Sequence, residues 1–326
     1  MDTGQLMSLR PDEPTTANPV VAAEGSFEEG GAHLPGPLVG SSARKIGRIL
    51  VDAGRLTHEG LAQILAEQSV SRLHFGEIGI RLGFFQKEDV EFALAKQFGF
   101  AILPRGGASV SPEVHTAFTG TGEVVEQTRA LRTQLNLRWQ ESEALRRTLT
   151  ITSAERGAGR SFIAANLAVA FSQLRSGGRT LLIDAHFARP RQHELFGLDN
   201  RVGLSTVLAG LTGRESLHSV PGLSGLLIMP AGPQPPNCED LLARSTLSRL
   251  LTYLTSHFGT ILIDSPPWEE GEAAKSLAAA AGAALMVVRS GHTLAGRGAH
   301  IAHEMRDRQT TLLGVVLNEV TRPSNP

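Results

Sequence analysis

Residues 148–168 read Thr-Leu-Thr-Ile-Thr-Ser-Ala-Glu-Arg-Gly-Ala-Gly-Arg-Ser-Phe-Ile-Ala-Ala-Asn-Leu-Ala. A β-branched run ends at Ser153, a loop with Gly157 and Gly159 follows, and Ser161 opens an apolar-periodic helix. Strand, glycine loop and helix in that order make a phosphate cradle. Glycines let backbone N–H groups converge, and the helix N-terminus adds partial positive charge. The usual P-loop reads Gly or Ala, four residues, then Gly-Lys-Ser/Thr. Ala154, Gly159 and Ser161 fit it, while Arg160 stands where the lysine belongs.

Downstream, strands and helices alternate, which predicts a mostly parallel sheet with helices on both faces. Arg179–Asp184 and Thr260–Asp264 are apolar runs that each end in an aspartate, and Ala284–Val288 and Leu312–Leu317 are further strand candidates. Open α/β sheets bind ligands at the strand C-termini. Two aspartates there, with the Ser161 hydroxyl, supply the oxygen ligands that Mg²⁺ requires beside a nucleotide. Ser161, Asp184 and Asp264 are therefore the expected metal ligands.

Upstream, residues 45–68 and 74–97 repeat at an offset of 29. Gly47 matches Gly76, Ile49 matches Ile78, Gly54 matches Gly83, Leu61 matches Val90, Leu65 matches Leu94 and Gln68 matches Gln97. Each unit reads as a short helix, a glycine turn and a second amphipathic helix. Thr57 and Gln86 stand near the second helix's start, and Glu59 and Glu88 lie in its first turn, where the dipole favours them. Repeated apolar positions of this kind also describe a plain helical core.

The expected organisation is a disordered tail over 1–43, a helical two-unit domain over 44–101, a Gly/Ser/Pro-rich linker over 102–121 and the P-loop domain over 122–322. The formal net charge is −1, which gives no bias toward nucleic acid. The single cysteine, Cys238, excludes an intramolecular disulfide. No basic start followed by an apolar run opens the chain, and the longest apolar stretch, 276–288, is too short for a bilayer span. Any membrane role is expected to come through a partner. His300, His303 and Glu304 lack a third placed metal ligand and read as a solvated helix face.

From about Glu123 to Val320 the chain resembles the cytoplasmic catalytic domain of bacterial tyrosine kinases that govern exopolysaccharide chain length, on a MinD-like fold. Ser153–Ser161 resembles their Walker A motif. Leu181-Leu-Ile-Asp184-Ala-His-Phe-Ala-Arg189-Pro resembles Walker A′, and Ile261-Leu-Ile-Asp264-Ser-Pro-Pro resembles Walker B. Glu194-Leu-Phe-Gly-Leu198 and Pro235-Pro-Asn237 before Leu241-Leu242 match further family stretches.

The resemblance implies ATP and Mg²⁺ as cofactors. Gly157, Ala158, Gly159, Arg160, Ser161, Phe162 and Asn318 would contact the nucleotide, and Asp184, Arg160 and Asp264 would act in catalysis. It also implies ring assembly through Glu126, Arg129 and Arg132, which lie three apart along one side of a helix. The implied location is the cytoplasmic side of the inner membrane, held there by a membrane chain-length regulator.

The form Glu155-Arg-Gly-Ala-Gly-Arg-Ser161 and the region 44–101 are most similar to the EpsG-type chain-length kinases. That N-terminal region also resembles the N-terminal domain of type II secretion and pilus ATPases, some of which bind cyclic di-GMP. Here Lys45 and His74 stand where the binding form has Arg. The kinase pattern departs at His186, where a second aspartate is usual, at Ala188, where Arg is usual, and at the C-terminus, which lacks a tyrosine cluster. The only tyrosine, Tyr253, falls in the Leu250-Leu-Thr-Tyr-Leu254 pattern and is expected to pack. These departures leave two further readings, a catalytically weakened nucleotide-binding regulator and a MinD/ParA-type ATPase. The second lacks its signature lysine, since Glu155-Arg156 occupies that place.

Overall fold

A computed structural model of the chain describes residues 39–97, 101–103, 109–140, 147–174, 177–243 and 245–319. Residues 1–38 of the expected tail lie outside the described residues.

Among the described residues four helices come first: α1 (Val39–Asp52), α2 (His58–Val70), α3 (Phe75–Arg81) and α4 (Lys87–Gln97). Helix α1 thus begins within the stretch assigned to the tail. The repeat pairs α1–α2 with α3–α4. Leu50, Leu56, Ile64, Phe75, Ile78, Phe85 and Ala93 form their common core. Gly47 and Gly76 play the same part in each unit. A Cβ on Gly47 would collide with Leu61 Cδ1, and one on Gly76 would lie 3.1 Å from Val90 Cγ1. Leu61 and Val90 are themselves repeat partners, so each glycine admits the second helix of its own unit. Thr57 caps α2 by accepting from the Gly60 N–H at 3.1 Å. Arg55 ties the two units together, 2.6 Å from Asp89 and over the Phe92 ring.

The remainder contains α5 (His115–Phe118), α6 (Glu123–Gln140), β1 (Thr148–Ser153), α7 (Arg160–Ser172), β2 (Thr180–Asp184), α8 (Gln192–Phe196) and α9 (Leu204–Leu208). Then come β3 (His218–Ser219), β4 (Leu226–Met229), α10 (Cys238–Ala243), α11 (Ser245–Thr255), β5 (Thr260–Asp264), α12 (Glu272–Ala281), β6 (Ala283–Arg289), α13 (Ala295–Asp307) and β7 (Thr311–Asn318). The seven strands form one sheet in the order β3-β4-β2-β5-β1-β6-β7. Every pairing is parallel except β3 with β4.

Alternation along the central strands sends side chains to two cores. Leu182, Ile228 and Leu262 pack beneath α6, α7 and α8, while Leu181, Ile183, Ile261 and Ile263 pack beneath α9, α10, α11 and α12. Helices cover both faces because both faces are apolar.

Two sequence expectations meet a different outcome here. Part of the stretch read as linker is core: Val110, Val114 and Ala117 are buried with α7, and the Leu103 N–H donates to the Ala117 carbonyl at 2.7 Å. Tyr253 does not pack. The buried stripe of α11 is Leu247, Leu251 and Leu254, and Tyr253, rotated off it, is 60% exposed. Among the described residues no helix is long and apolar enough to cross a membrane.

Candidate functional site

Strand β1 ends at Ser153, and the chain turns through residues 154–159 into α7. Gly157 and Gly159 hold φ of +75° and +89°. Gly159 is the N-cap of α7, which begins at Arg160, one residue before the sequence placed it. The turn exposes the first N–H groups of α7 to a cavity of about 980 Å³. Gly157, Gly159, Arg160, Ser161, Phe162 and Asn318 all line it. Ala158 does not. Its side chain is fully buried, and its carbonyl accepts from Asn318 Nδ2 at 2.8 Å. Asn318, at the end of β7, thus clamps the glycine loop from the far side.

The cavity tolerates no side chain at Gly159. A Cβ there would overlap Asn318 Nδ2 at a backbone angle L-residues disfavour. Gly159→Ala is expected to cost about 1–2 kcal/mol in stability. It is also expected to weaken nucleotide binding at least tenfold, read by equilibrium fluorescence titration.

Beneath the loop, β2 and β5 run side by side with Asp184 in register with Asp264. Both carboxylates are completely buried. Asp184 accepts backbone N–H bonds from His186 (3.1 Å), Arg191 (2.8 Å) and Gln192 (2.9 Å). Asp264 Oδ2 accepts from Gln192 Nε2 at 2.7 Å, and Asp264 Oδ1 is buried without a hydrogen-bond donor among the described residues. Burial and then the neighbouring Asp264 charge push the Asp184 pKa from 3.8 up to about 7, against the three N–H bonds.

The folded chain therefore keeps on Asp184 a proton that the unfolded chain loses near pH 4. The contribution to stability is fully present below that pH and is lost as pH rises through about 7. Thermal melts in chelator are expected to show stability falling by a few kcal/mol from pH 4 to 7. Asp184→Asn should flatten that slope.

Arg160 does not reach outward as a P-loop lysine would. Its Nε donates to the Ser265 carbonyl at 3.0 Å, and its Nη1 donates to Ser153 Oγ at 2.5 Å and the Glu155 carbonyl at 3.3 Å. Burial lowers its pKa, opposed by Asp264 and Glu270. His186, the departure from the second aspartate, lines the cavity wall with Nε2 3.4 Å from Glu270 Oε2. Burial and then the Arg160 charge lower its pKa. Glu270 also pairs with Arg156.

Two residues of this cluster were not read from the sequence. Gln192 contacts Asp264, donates to the Ser161 carbonyl at 3.1 Å and offers its N–H to Asp184. Nothing in the spacing of a lone glutamine marks it. Glu270 had a signal, the acidic pair Glu269-Glu270 directly after the Ser-Pro-Pro that follows β5.

The helix read for assembly lies along the other cavity wall. Glu126 is exposed. Arg129 Nη1 donates to the Gly120 carbonyl at 2.5 Å, and Arg132 Nη1 donates to the Ala170 carbonyl in the last turn of α7 at 2.8 Å. Both guanidiniums thus already serve this chain's own fold.

A divalent cation is implied by the motifs, and the residues present fit one. A buried carboxylate oxygen without a donor, beside a second buried carboxylate, is the donor set of a hard cation.

No family model matches the chain. Tyrosine-protein kinase YwqD of Bacillus subtilis (strain 168) is 32% identical over 193 residues, 59% of this chain and 80% of that protein. The chain belongs to the bacterial tyrosine-protein kinase family. Tyrosine-protein kinase etk of Escherichia coli (strain K12) is 31% identical over 198 residues, 61% of this chain, and the chain spans only 27% of that longer kinase. Among solved structures, the kinase domain of Escherichia coli tyrosine kinase ETK matches with a TM-score of 0.56 at 30% identity, over 62% of this chain and 78% of that one. The BceF tyrosine kinase domain matches with a TM-score of 0.57 at 27% identity, over 72% and 90%. The sheet and glycine loop are therefore those of a tyrosine-kinase domain.

Proposed function

We propose that the chain binds Mg-ATP and transfers its γ-phosphoryl group to tyrosine, as an EpsG-type kinase of exopolysaccharide chain-length control. The observation that carries this is the in-register pair Asp184–Asp264 directly beneath a glycine loop on the α7 N-terminus. Loop N–H groups and the α7 dipole would hold the phosphates. Ser161, Asp184 and Asp264 would hold magnesium, which when bound neutralises charge on the transferring phosphate. Gln192 keeps Asp264 and the start of α7 at fixed separation. Arg160 anchors the loop from below, and Asn318 clamps it from the side. Catalysis by this chain is then mostly positioning and preorganised charge.

The organisation we propose keeps 44–101 as a separate helical unit, similar to the secretion-ATPase N-terminal domain, ahead of the kinase domain at 122–322. Cyclic di-GMP is its candidate ligand. A membrane chain-length regulator would bring the chain to the inner membrane, and copies would assemble through the Glu126 face of α6.

A second reading is favoured by Arg160 and His186. With the loop cation bonded to the sheet floor and the second carboxylate replaced, the chain would bind ATP and signal without turnover. Purified protein with Mg-ATP and a Glu/Tyr copolymer separates them. Phosphotyrosine on the polymer, lost in Asp264→Asn, is the kinase result. Tight ATP binding with no transfer, with or without the partner, is the regulator result and would defeat the kinase proposal.

A further inference from the structure

Resting on the nucleotide reading above, we propose that Arg156, on the lip of the glycine loop, contacts the γ-phosphate of bound ATP and fills there the role of a P-loop lysine. The residue at the lysine's own place is committed elsewhere. Arg160 is 7% exposed and spends Nε on the Ser265 carbonyl and Nη1 on Ser153 Oγ and the Glu155 carbonyl. It faces the sheet floor, so the terminal phosphates lack the charge that the standard motif sends outward.

Among the described residues, three other arginines line the cavity: Arg156, Arg189 and Arg191. Arg191 is engaged, 2.7 Å from Glu113 and 3.5 Å from Glu194. Arg189 is exposed and lies on the opposite wall, five residues beyond the end of β2. Only Arg156 belongs to the loop itself. It directly precedes Gly157, whose φ of +75° turns the chain toward the cavity, so its position is fixed relative to the cradle.

The contacts of Arg156 allow it to move. Its acidic partner is Glu270, on the short turn Trp268–Glu270 after β5. That turn is anchored: Trp268 is buried and donates Nε1 to Glu304, and Glu269 pairs with Arg297. The Arg156 side chain is 58% exposed against 19% for Glu270, so the guanidinium is the partner with room to swing. Glu270 also faces His186 Nε2 at 3.4 Å, which leaves the carboxylate a neighbour when Arg156 departs. Glu155 points the other way, to Thr293 and Arg297, and holds the lip in place during the exchange. A half-exposed ion pair is weak, whereas a guanidinium on a phosphate forms two parallel charge-assisted bonds. The triphosphate therefore wins Arg156 from Glu270. ADP, which lacks the γ-phosphate, does not, and the chain distinguishes the two nucleotides through this one side chain.

The test is calorimetric titration of the full chain, in Mg²⁺, with ADP and with the non-hydrolysable β,γ-imido analogue of ATP, alongside urea unfolding. Arg156→Ala is expected to weaken the triphosphate by about ten- to a hundredfold. It should leave the affinity for ADP and the urea midpoint unchanged, and Arg156→Lys should recover part of the loss. Glu270→Gln, which releases Arg156 beforehand, should tighten the triphosphate about two- to fivefold. That gain should vanish when Arg156→Ala is combined with it. Equal losses for both nucleotides in Arg156→Ala, no loss at all, or a selective loss that falls on Arg189→Ala instead, overturns the inference and leaves nucleotide binding standing. A wild-type chain that binds neither nucleotide overturns both.

Discussion

Asp264→Asn is expected to reduce phosphoryl transfer by about a thousandfold or more while leaving the fold as stable as wild type, or more stable. The loss follows from the site. Asp264 contributes a buried carboxylate oxygen that no donor satisfies among the described residues, which leaves it available for a cation. Removing a preorganised electrostatic contact of this kind costs about 10²–10³ in rate, and losing the metal with it adds to that.

The effect on stability has the opposite sign. Asp264 is one of the two causes that raise the Asp184 pKa, so neutralising it relieves repulsion between two buried carboxylates. An amide at 264 still accepts from Gln192 through its oxygen. Thermal melts and transfer assays on one preparation decide the matter. A large drop in melting temperature would show that Asp264 holds the fold together and that the activity loss is uninformative.

Arg160→Ala is expected to destabilise the protein by about 3 kcal/mol, a larger effect than deleting a phosphate-facing side chain would give. The guanidinium is buried and bonds three acceptors, on Ser265, Ser153 and Glu155. Each charged hydrogen bond contributes roughly 1.5–3 kcal/mol and the three are not additive, which brings the sum down to that range.

Arg160→Lys, which restores the usual P-loop residue, should still cost about 1–2 kcal/mol. One ammonium cannot span the Ser265 carbonyl and the Ser153 hydroxyl as a planar fork does. Urea unfolding of both variants measures this. A lysine variant as stable as wild type with faster turnover would mean that Arg160 is a weakened lysine and not a strut.

The strand runs ending in Asp184 and Asp264 were legible because backbone period and burial act locally, and their bounds agree with β2 and β5 to within a residue. The glycine loop was legible for the same reason. Which donors satisfy which carboxylates was not. Gln192 reaches Asp264 across 72 positions of chain, and Arg160 reaches Ser265 across 105. No local pattern encodes such pairings.

Two expectations went astray, one read from composition and one from an apolar pattern. The Gly/Ser/Pro content of 102–121 hid the buried apolar residues Val110, Val114 and Ala117, of which only Ala117 lies on a helix, the short α5. Around Tyr253, the Leu250-Leu-Thr-Tyr-Leu254 pattern suggested burial, but the buried stripe runs one register off it, through Leu247, Leu251 and Leu254.

Helix α7 carries the phosphate loop at one end and receives Arg132 from α6 near the other, about 15 Å away at 1.5 Å per residue. In mechanical terms it is a push-rod with a handle. Its flank is alanine-rich and fully packed, so it has no slack in which to bend. A load placed on α6 by any neighbour is therefore expected to arrive at the glycine loop as a change in how long a nucleotide stays.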